Sequence, residues 1–92
     1  MKIAASGKTA DGAVVFDGAV LFRMKDETGL PPDMAAESIY ARGMVIDWLG
    51  FVTEAVRKGW PAQRAIREVD YALIDHPSVR PVIVAKLKEQ FQ

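Results

Sequence analysis

The sequence has no cysteine, a single histidine and no long hydrophobic run. The absence of cysteine excludes disulfide frameworks, thiolate zinc sites and cysteine nucleophiles. The longest wholly hydrophobic runs, such as residues 13–16 and 82–85, are only four residues long. A signal peptide needs an apolar run of about 7–15 residues and a membrane span needs roughly 20. We therefore expect a cytoplasmic protein that has no membrane partner.

Net charge is also absent, because 12 basic residues balance 12 acidic ones in 92 residues. A hydrophobic content of 50% argues against a disordered chain, and the length fits a single domain over residues 1–92. A chain without net charge lacks the usual electrostatic footprint of a nucleic-acid binder. The charges are nevertheless unevenly distributed, since residues 1–56 carry a net −3 and residues 57–92 a net +3.

The first 16 residues have the pattern of a β-hairpin. Residues 2–6 and 13–16 are short strand candidates, and residues 7–12 contain the glycine and aspartate typical of a turn. The sequence therefore predicts a small N-terminal hairpin over residues 1–16, followed by a helical region over residues 18–92.

Residues 17–27 allow two interpretations. Asp17-Gly18 separates two apolar runs, which is a strong signal for a tight type I′ hairpin. Alternatively, Asp17 caps a helix over residues 18–27, and Gly29 ends it in the left-handed conformation. The helix propensity of Leu21, Phe22 and the residues after them favours the second interpretation.

The rest of the chain predicts four more helices. Prolines open two of them, Asp47 caps another, and Gly43 and Gly59 are stop signals. The β-branched residues 82–84 also allow a strand, as an alternative to helix, in part of the last element. The four segments run from Pro31 to Gly43, over residues 47–58, over residues 61–75 and over residues 78–91.

Apolar side chains at helical spacing indicate which faces form the core. The fold class that follows is a mainly α domain, a bundle of about five helices behind a short hairpin. Its predicted core side chains, in chain order, are Met34, Ile39, Tyr40, Trp48, Phe51, Val52, Ala55, Val56, Trp60, Ala62, Ala65, Ile66, Val69, Ala72, Leu73, Val79, Ile83, Leu87 and Phe91.

Residues 22–51 carry a family resemblance. They begin with Phe22-Arg23-Met24-Lys25-Asp26, continue with Gly29-Leu30-Pro31 and Arg42-Gly43, and end with Asp47-Trp48-Leu49-Gly50-Phe51. This order resembles a helical segment of alanyl-tRNA synthetases, with Lys25 where the family has tyrosine and Leu30 where it has phenylalanine. The matching residue types are Asp26, Gly29, Pro31, Asp33, Glu37, Arg42, Gly43, Asp47, Gly50 and Phe51.

The resemblance implies a shared structural piece from outside the catalytic core. In the synthetases this segment is helical and is associated with tRNA recognition. It also favours the helix over residues 18–27. The chain is too short for the synthetase catalytic domain, so the resemblance implies no aminoacylation activity.

A basic stretch predicts a possible nucleic-acid contact. Helix 47–58, its turn and helix 61–75 have the outline of a helix-turn-helix, and Arg64 and Arg67 lie at the front of the second helix. Arg57 and Lys58 precede the turn. The alternative is a solvated helical face whose cations favour the helix dipole. Trp60, at the turn, is a candidate for a partner-binding surface.

No residues predict catalysis, a cofactor or a metal site. His76 lies in the connector Asp75-His76-Pro77, and scattered carboxylates give no ligand spacing. No small-molecule substrate is evident. The sequence-based hypothesis is a non-catalytic helical interaction module, such as an accessory protein of a mobile element. Protein–protein binding or self-association is the preferred function, and tRNA or DNA contact is the alternative.

Overall fold

The computed structural model describes residues 5–8 and 12–91 and confirms the mainly helical class. None of the described helices is both long and apolar enough to cross a bilayer. The described residues form five helices and three short strands. In chain order these are β1 (Ala5–Lys8), β2 (Val14–Phe16), α1 (Gly18–Thr28), α2 (Pro32–Ala41), β3 (Val45–Ile46), α3 (Trp48–Arg57), α4 (Ala62–Ala72) and α5 (Arg80–Phe91).

The hairpin is present, but its first strand runs further than expected. β1 pairs antiparallel with β2, and Gly7 and Lys8 lie opposite Val15 and Val14. The prediction that Gly7 and Lys8 belong to the turn is therefore wrong. The pairing with β2 continues to Lys8, past a register irregularity between Ala5 and Gly7. Residues 2–4 of the expected strand lie outside the described residues.

A third strand was not predicted within the helical region 18–92. β3 pairs parallel with β2, and the Asp47 amide donates to the Phe16 carbonyl at 3.1 Å. Two residues are too few to show the alternation that identifies a strand in a sequence. The strand exists because β2 offers it an edge, which is a tertiary contact.

The helical interpretation of residues 17–27 is confirmed. The Asp17 carboxylate accepts from the Ala19 amide at 2.9 Å and caps α1, while Gly29 ends the helix at φ 74°. The alternative hairpin strand had no place to pair, because β2 already lies between β1 and β3.

The two parallel strands each lead directly into a helix, and these two helices make the most extensive contact among the described elements. Asp17 caps α1 and Asp47 caps α3, whose first turn includes a hydrogen bond from the Phe51 amide to the Asp47 carbonyl at 3.2 Å. Gly18 lies against this hydrogen bond. A β-carbon at position 18 would overlap both backbone atoms, so only glycine allows α1 to approach α3 this closely.

The buried side chains form one core cluster. Most predicted core residues belong to it or pack against it, but Val56 is 41% exposed and Met34 is 59% exposed. Those two predictions are wrong, because Val56 lies at the edge of the buried face of α3 and Met34 lies nearly opposite the buried residues of α2. The largest fully buried side chains are Trp48, Phe22, Phe51, Leu21, Leu73, Val52 and Val69.

Helix α5 is held less deeply than the others. Leu87 is the only buried residue of α5 among those described. Ile83 and Phe91 of α5, and Val79 just before it, are half-buried against the core. Arg80 also pairs with Asp70 of α4, Nε to Oδ1, at 2.6 Å. This pair is partly exposed, so packing holds α5 in place more than charge does.

The Gly18 contact gives a stability prediction. We expect Gly18→Ala to lower the free energy of unfolding by about 3 kcal/mol or more, because backbone atoms cannot yield to the added methyl group. Gly50→Ala is the matched control. The three atoms nearest its β-carbon all belong to the Asp47 side chain, which can rotate away, and helix propensity offsets the lost cap to within about 1 kcal/mol. Urea unfolding measures both variants, and equal losses would contradict the prediction.

Candidate functional site on the outer face of α4

Helix α4 separates a buried side from an exposed one. Ala65, Ile66, Val69 and Ala72 are buried against the core. Arg64, Arg67 and Tyr71 follow the helical spacing on the opposite side, and all three are exposed. Ile74 continues this line into the turn after α4. We call these four residues, Arg64, Arg67, Tyr71 and Ile74, the α4 outer face.

The second half of this face is apolar. Tyr71 is 63% exposed and Ile74 is 50% exposed. Exposing large apolar side chains to water costs free energy, and burial in an interface would recover it. The face therefore combines two cations with two apolar side chains along about ten residues of chain.

Trp60 borders the face and is held by three neighbours. The Arg64 guanidinium lies 3.9 Å from the Trp60 ring centroid, and the Lys25 Nζ lies 4.8 Å from it. The Phe22 ring meets Trp60 edge-on, with centroids 5.3 Å apart. These cation–π and aromatic contacts fix an indole that is half-buried. Trp60, the candidate partner residue, thus contacts Arg64, Lys25 and Phe22.

The structure does not treat the four predicted basic residues alike. Arg57 Nε donates to Glu54 Oε1 at 2.7 Å, and Glu54 is buried. Arg57 also lines a cleft of about 340 Å³ that it shares with Glu54 and both capping aspartates. Its charge is compensated there, and the surrounding carboxylates oppose a phosphate group.

All four predicted cations are exposed, and the Arg57 side chain is 65% exposed in spite of its pairing with Glu54. Lys58 lies in the turn after α3, Arg67 lies on the α4 outer face, and Arg64 stacks on Trp60. Within residues 12–91, the ion pairs involve neither Lys58 nor Arg67. Helices α3 and α4 pack together across the turn, as the helix-turn-helix outline requires. The structure therefore brings Arg64 and Arg67 to one surface and pairs Arg57 with Glu54.

Three residues of this region were missed by the sequence-based reasoning. Tyr71 and Ile74 lie seven and ten residues after Arg64, so the helical spacing could have placed them on the outer face. Lys25 gave no such signal, because it lies 35 residues before Trp60 and reaches it only through the packing of α1.

His76 packs in the connector between α4 and α5. Its ring lies 4.7 Å from the Tyr40 ring, centroid to centroid, and its carbonyl accepts from the amides of Val79 and Arg80. Tyr40 in turn accepts a hydrogen bond from Trp48 Nε1 at 3.0 Å. Burial raises the pKa of Tyr40 above its ordinary value of 10.0, although the Trp48 hydrogen bond acts in the opposite direction.

Comparisons with known protein families, with curated proteins and with solved structures find no match to this chain. Within the described ranges, no three histidine, aspartate or glutamate side chains lie close enough together to hold a metal ion. Function must therefore be argued from the contacts, exposure and charge of the α4 outer face itself.

The raised pKa of Tyr40 predicts a loss of stability in alkali. Its neutral form is favoured in the folded state, so its contribution is complete below pH 10.0 and is lost as the pH rises through the folded-state pKa. Tyr40→Phe leaves the Trp48 N–H unpaired and should cost about 1–2 kcal/mol at neutral pH. Above pH 10.0 the difference in free energy of unfolding between wild type and Tyr40→Phe should become smaller.

Urea unfolding at about pH 8 and about pH 11 measures this narrowing. Tyr71→Phe is the matched control, because Tyr71 is exposed. The difference in free energy of unfolding between wild type and Tyr71→Phe should be the same at both pH values. A constant difference between wild type and Tyr40→Phe would contradict the prediction.

Proposed function

We propose that this chain is a non-catalytic interaction module that binds a protein partner through the α4 outer face. The observation that carries the proposal is the exposure of Tyr71 and Ile74 in line with Arg64 and Arg67. Tyrosine and arginine are enriched among the residues that dominate protein–protein binding energy. Trp60, at the edge of the face, adds a third residue type of this class.

The charge distribution supports a protein partner over a nucleic acid. The chain has no net charge, and Arg57 is compensated by Glu54. Nucleic-acid affinity comes largely from neutralised phosphates, which two or three exposed cations supply only weakly. A phosphate backbone cannot bury the apolar half of the face, whereas a protein surface can.

The resemblance of residues 22–51 to alanyl-tRNA synthetases fits a scaffolding role for that segment. These residues form most of α1, all of α2 and the start of α3. They contribute Phe22 and Lys25 to the setting of Trp60. We propose a cytoplasmic accessory protein that shares this structural piece, for example in a mobile element, and that lacks aminoacylation activity.

Affinity capture tests the protein-binding function. We expect immobilised wild-type chain to retain specific proteins from a cell extract, and the double variant Arg67→Glu with Tyr71→Ser to lose them. Arg67→Glu reverses a charge at the face, and Tyr71→Ser removes its largest apolar side chain. Quantitative mass spectrometry of the two eluates measures the difference.

The matched control is the double variant Arg23→Glu with Val82→Ser. It makes the same two kinds of change at exposed positions on α1 and α5. This variant should retain the wild-type set of proteins. If both double variants retain the same proteins as wild type, the α4 outer face is not the binding surface and the proposal fails.

Nucleic-acid contact is a second candidate function, and one observation favours it. Lys25 and Arg64 both lie over the Trp60 ring, so two cations flank an aromatic surface. Cations beside an aromatic side chain are the usual elements of single-stranded RNA and DNA binding. Lys58 and Arg67, which are both exposed, precede and follow Trp60 in the chain.

A filter-binding assay tests the second function. At about 50 mM salt, where phosphate contacts are strongest, micromolar protein should retain transfer RNA or duplex DNA. Arg64→Glu combined with Arg67→Glu should abolish retention, while the exposed control Arg23→Glu should not. If wild-type protein retains neither nucleic acid under these conditions, this function is excluded.

A further inference from the structure

The four residues of the α4 outer face are spaced symmetrically about position 69. Arg67 and Tyr71 lie two residues before and after Val69, and Arg64 and Ile74 lie five residues before and after it. The cationic half therefore precedes the midpoint and the apolar half follows it, at matching distances. A helix with this arrangement is complementary to an antiparallel copy of itself.

We propose that the partner of this face is a second copy of the chain, with the two α4 helices antiparallel across a twofold axis near Val69. The inference rests on the proposed protein-binding function and names its partner. Arg67 of each copy then faces Tyr71 of the other, which forms the same cation–π contact twice. Trp60 with Arg64 already shows such a contact within one chain.

The ends of the face are complementary as well. Arg64 of one copy comes opposite the turn of the other copy that carries Ile74. Asp75 follows Ile74 in that turn and is also exposed. Its carboxylate compensates the Arg64 guanidinium, while the aliphatic part of Arg64 covers Ile74.

Charge decides the orientation of the two helices. In a parallel pair, each arginine of the face would meet the same arginine of the other copy, and like charges in contact are repelled. The antiparallel pair separates the two Arg67 side chains by about 6 Å along the helix, with the Tyr71 rings beside them.

Chemistry also favours a second copy over other occupants. An acidic peptide would neutralise Arg64 and Arg67 but would leave Tyr71 and Ile74 without an apolar partner. A nucleic acid would do the same. The second copy satisfies both halves of the face at once. The contact is small, so we expect a dimer with a dissociation constant in the micromolar range.

Sedimentation velocity of the full chain over about 5–500 µM measures this dimerisation. Arg67→Glu should raise the dissociation constant at least about tenfold, because both cation–π contacts are lost. Tyr71→Arg should do the same, because four arginines then meet. The control Arg23→Glu should leave the dissociation constant unchanged. Circular dichroism confirms that each variant is folded.

The decisive measurement is an equimolar mixture of Arg67→Glu and Tyr71→Arg. In that heterodimer the introduced acid faces the introduced arginine on one side, and the native Arg67 and Tyr71 still meet on the other. Two variants that each self-associate at least about tenfold more weakly than wild type should therefore dimerise with each other when mixed. Association of the mixture supports the proposal, and a mixture that stays monomeric overturns it.

Orientation has its own test, because the chain contains no cysteine. A mixture of Arg64→Cys and Ile74→Cys should form a disulfide-linked heterodimer under mild oxidation, faster than either variant links to itself. Faster linkage of each variant to itself would indicate a parallel pair and would overturn the antiparallel arrangement.

The two proposals fail in distinguishable ways. A wild-type chain that is monomeric throughout the concentration range overturns the second-copy partner. So does a dimer that none of the α4 variants weakens. In either case, affinity capture of a different protein that depends on Arg67 and Tyr71 would still support the protein-binding function, and its loss would remove that function too.

Discussion

The contact between Gly18 and the first turn of α3 is the constraint on which the rest of the structure depends. Parallel strands β2 and β3 end side by side, and each leads at once into a helix capped by an aspartate. The two helix starts are therefore forced together at the end of the sheet. Gly18 is the residue that removes the steric obstacle to this approach.

The same approach positions the residues that border the α4 outer face. Once α1 lies on α3, Phe22 packs edge-on against both Phe51 and Trp60. Lys25 follows Phe22 by about one helical turn and so reaches the indole of Trp60. Arg64 covers Trp60 from the next helix. A backbone contact near the sheet thus determines the setting of a tryptophan at the turn between α3 and α4.

Local signals in the sequence were enough to predict much of this fold. Aspartate caps at positions 17 and 47 and the left-handed Gly29 mark helix ends through interactions within a few residues. The short strand β3 could not be predicted, because only its pairing with β2 makes it a strand. The same distinction separates Tyr71, which helical spacing places on the outer face, from Lys25, whose position depends on how distant helices pack.

The opposed charges of the two halves of the chain acquire a different meaning in the folded structure. The basic residues that give residues 57–92 a net charge of +3 do not form one basic surface, because Arg57 pairs with Glu54 and Arg80 pairs with Asp70. The cations left on the α4 outer face are Arg64 and Arg67, and exposed apolar side chains follow them directly. Two cations are too few to hold a polyanion strongly, yet they are enough to orient a protein surface, since charge chiefly sets register and direction in such contacts. In the proposed dimer the apolar residues supply the burial energy, and the order of the two kinds along α4 favours an antiparallel arrangement.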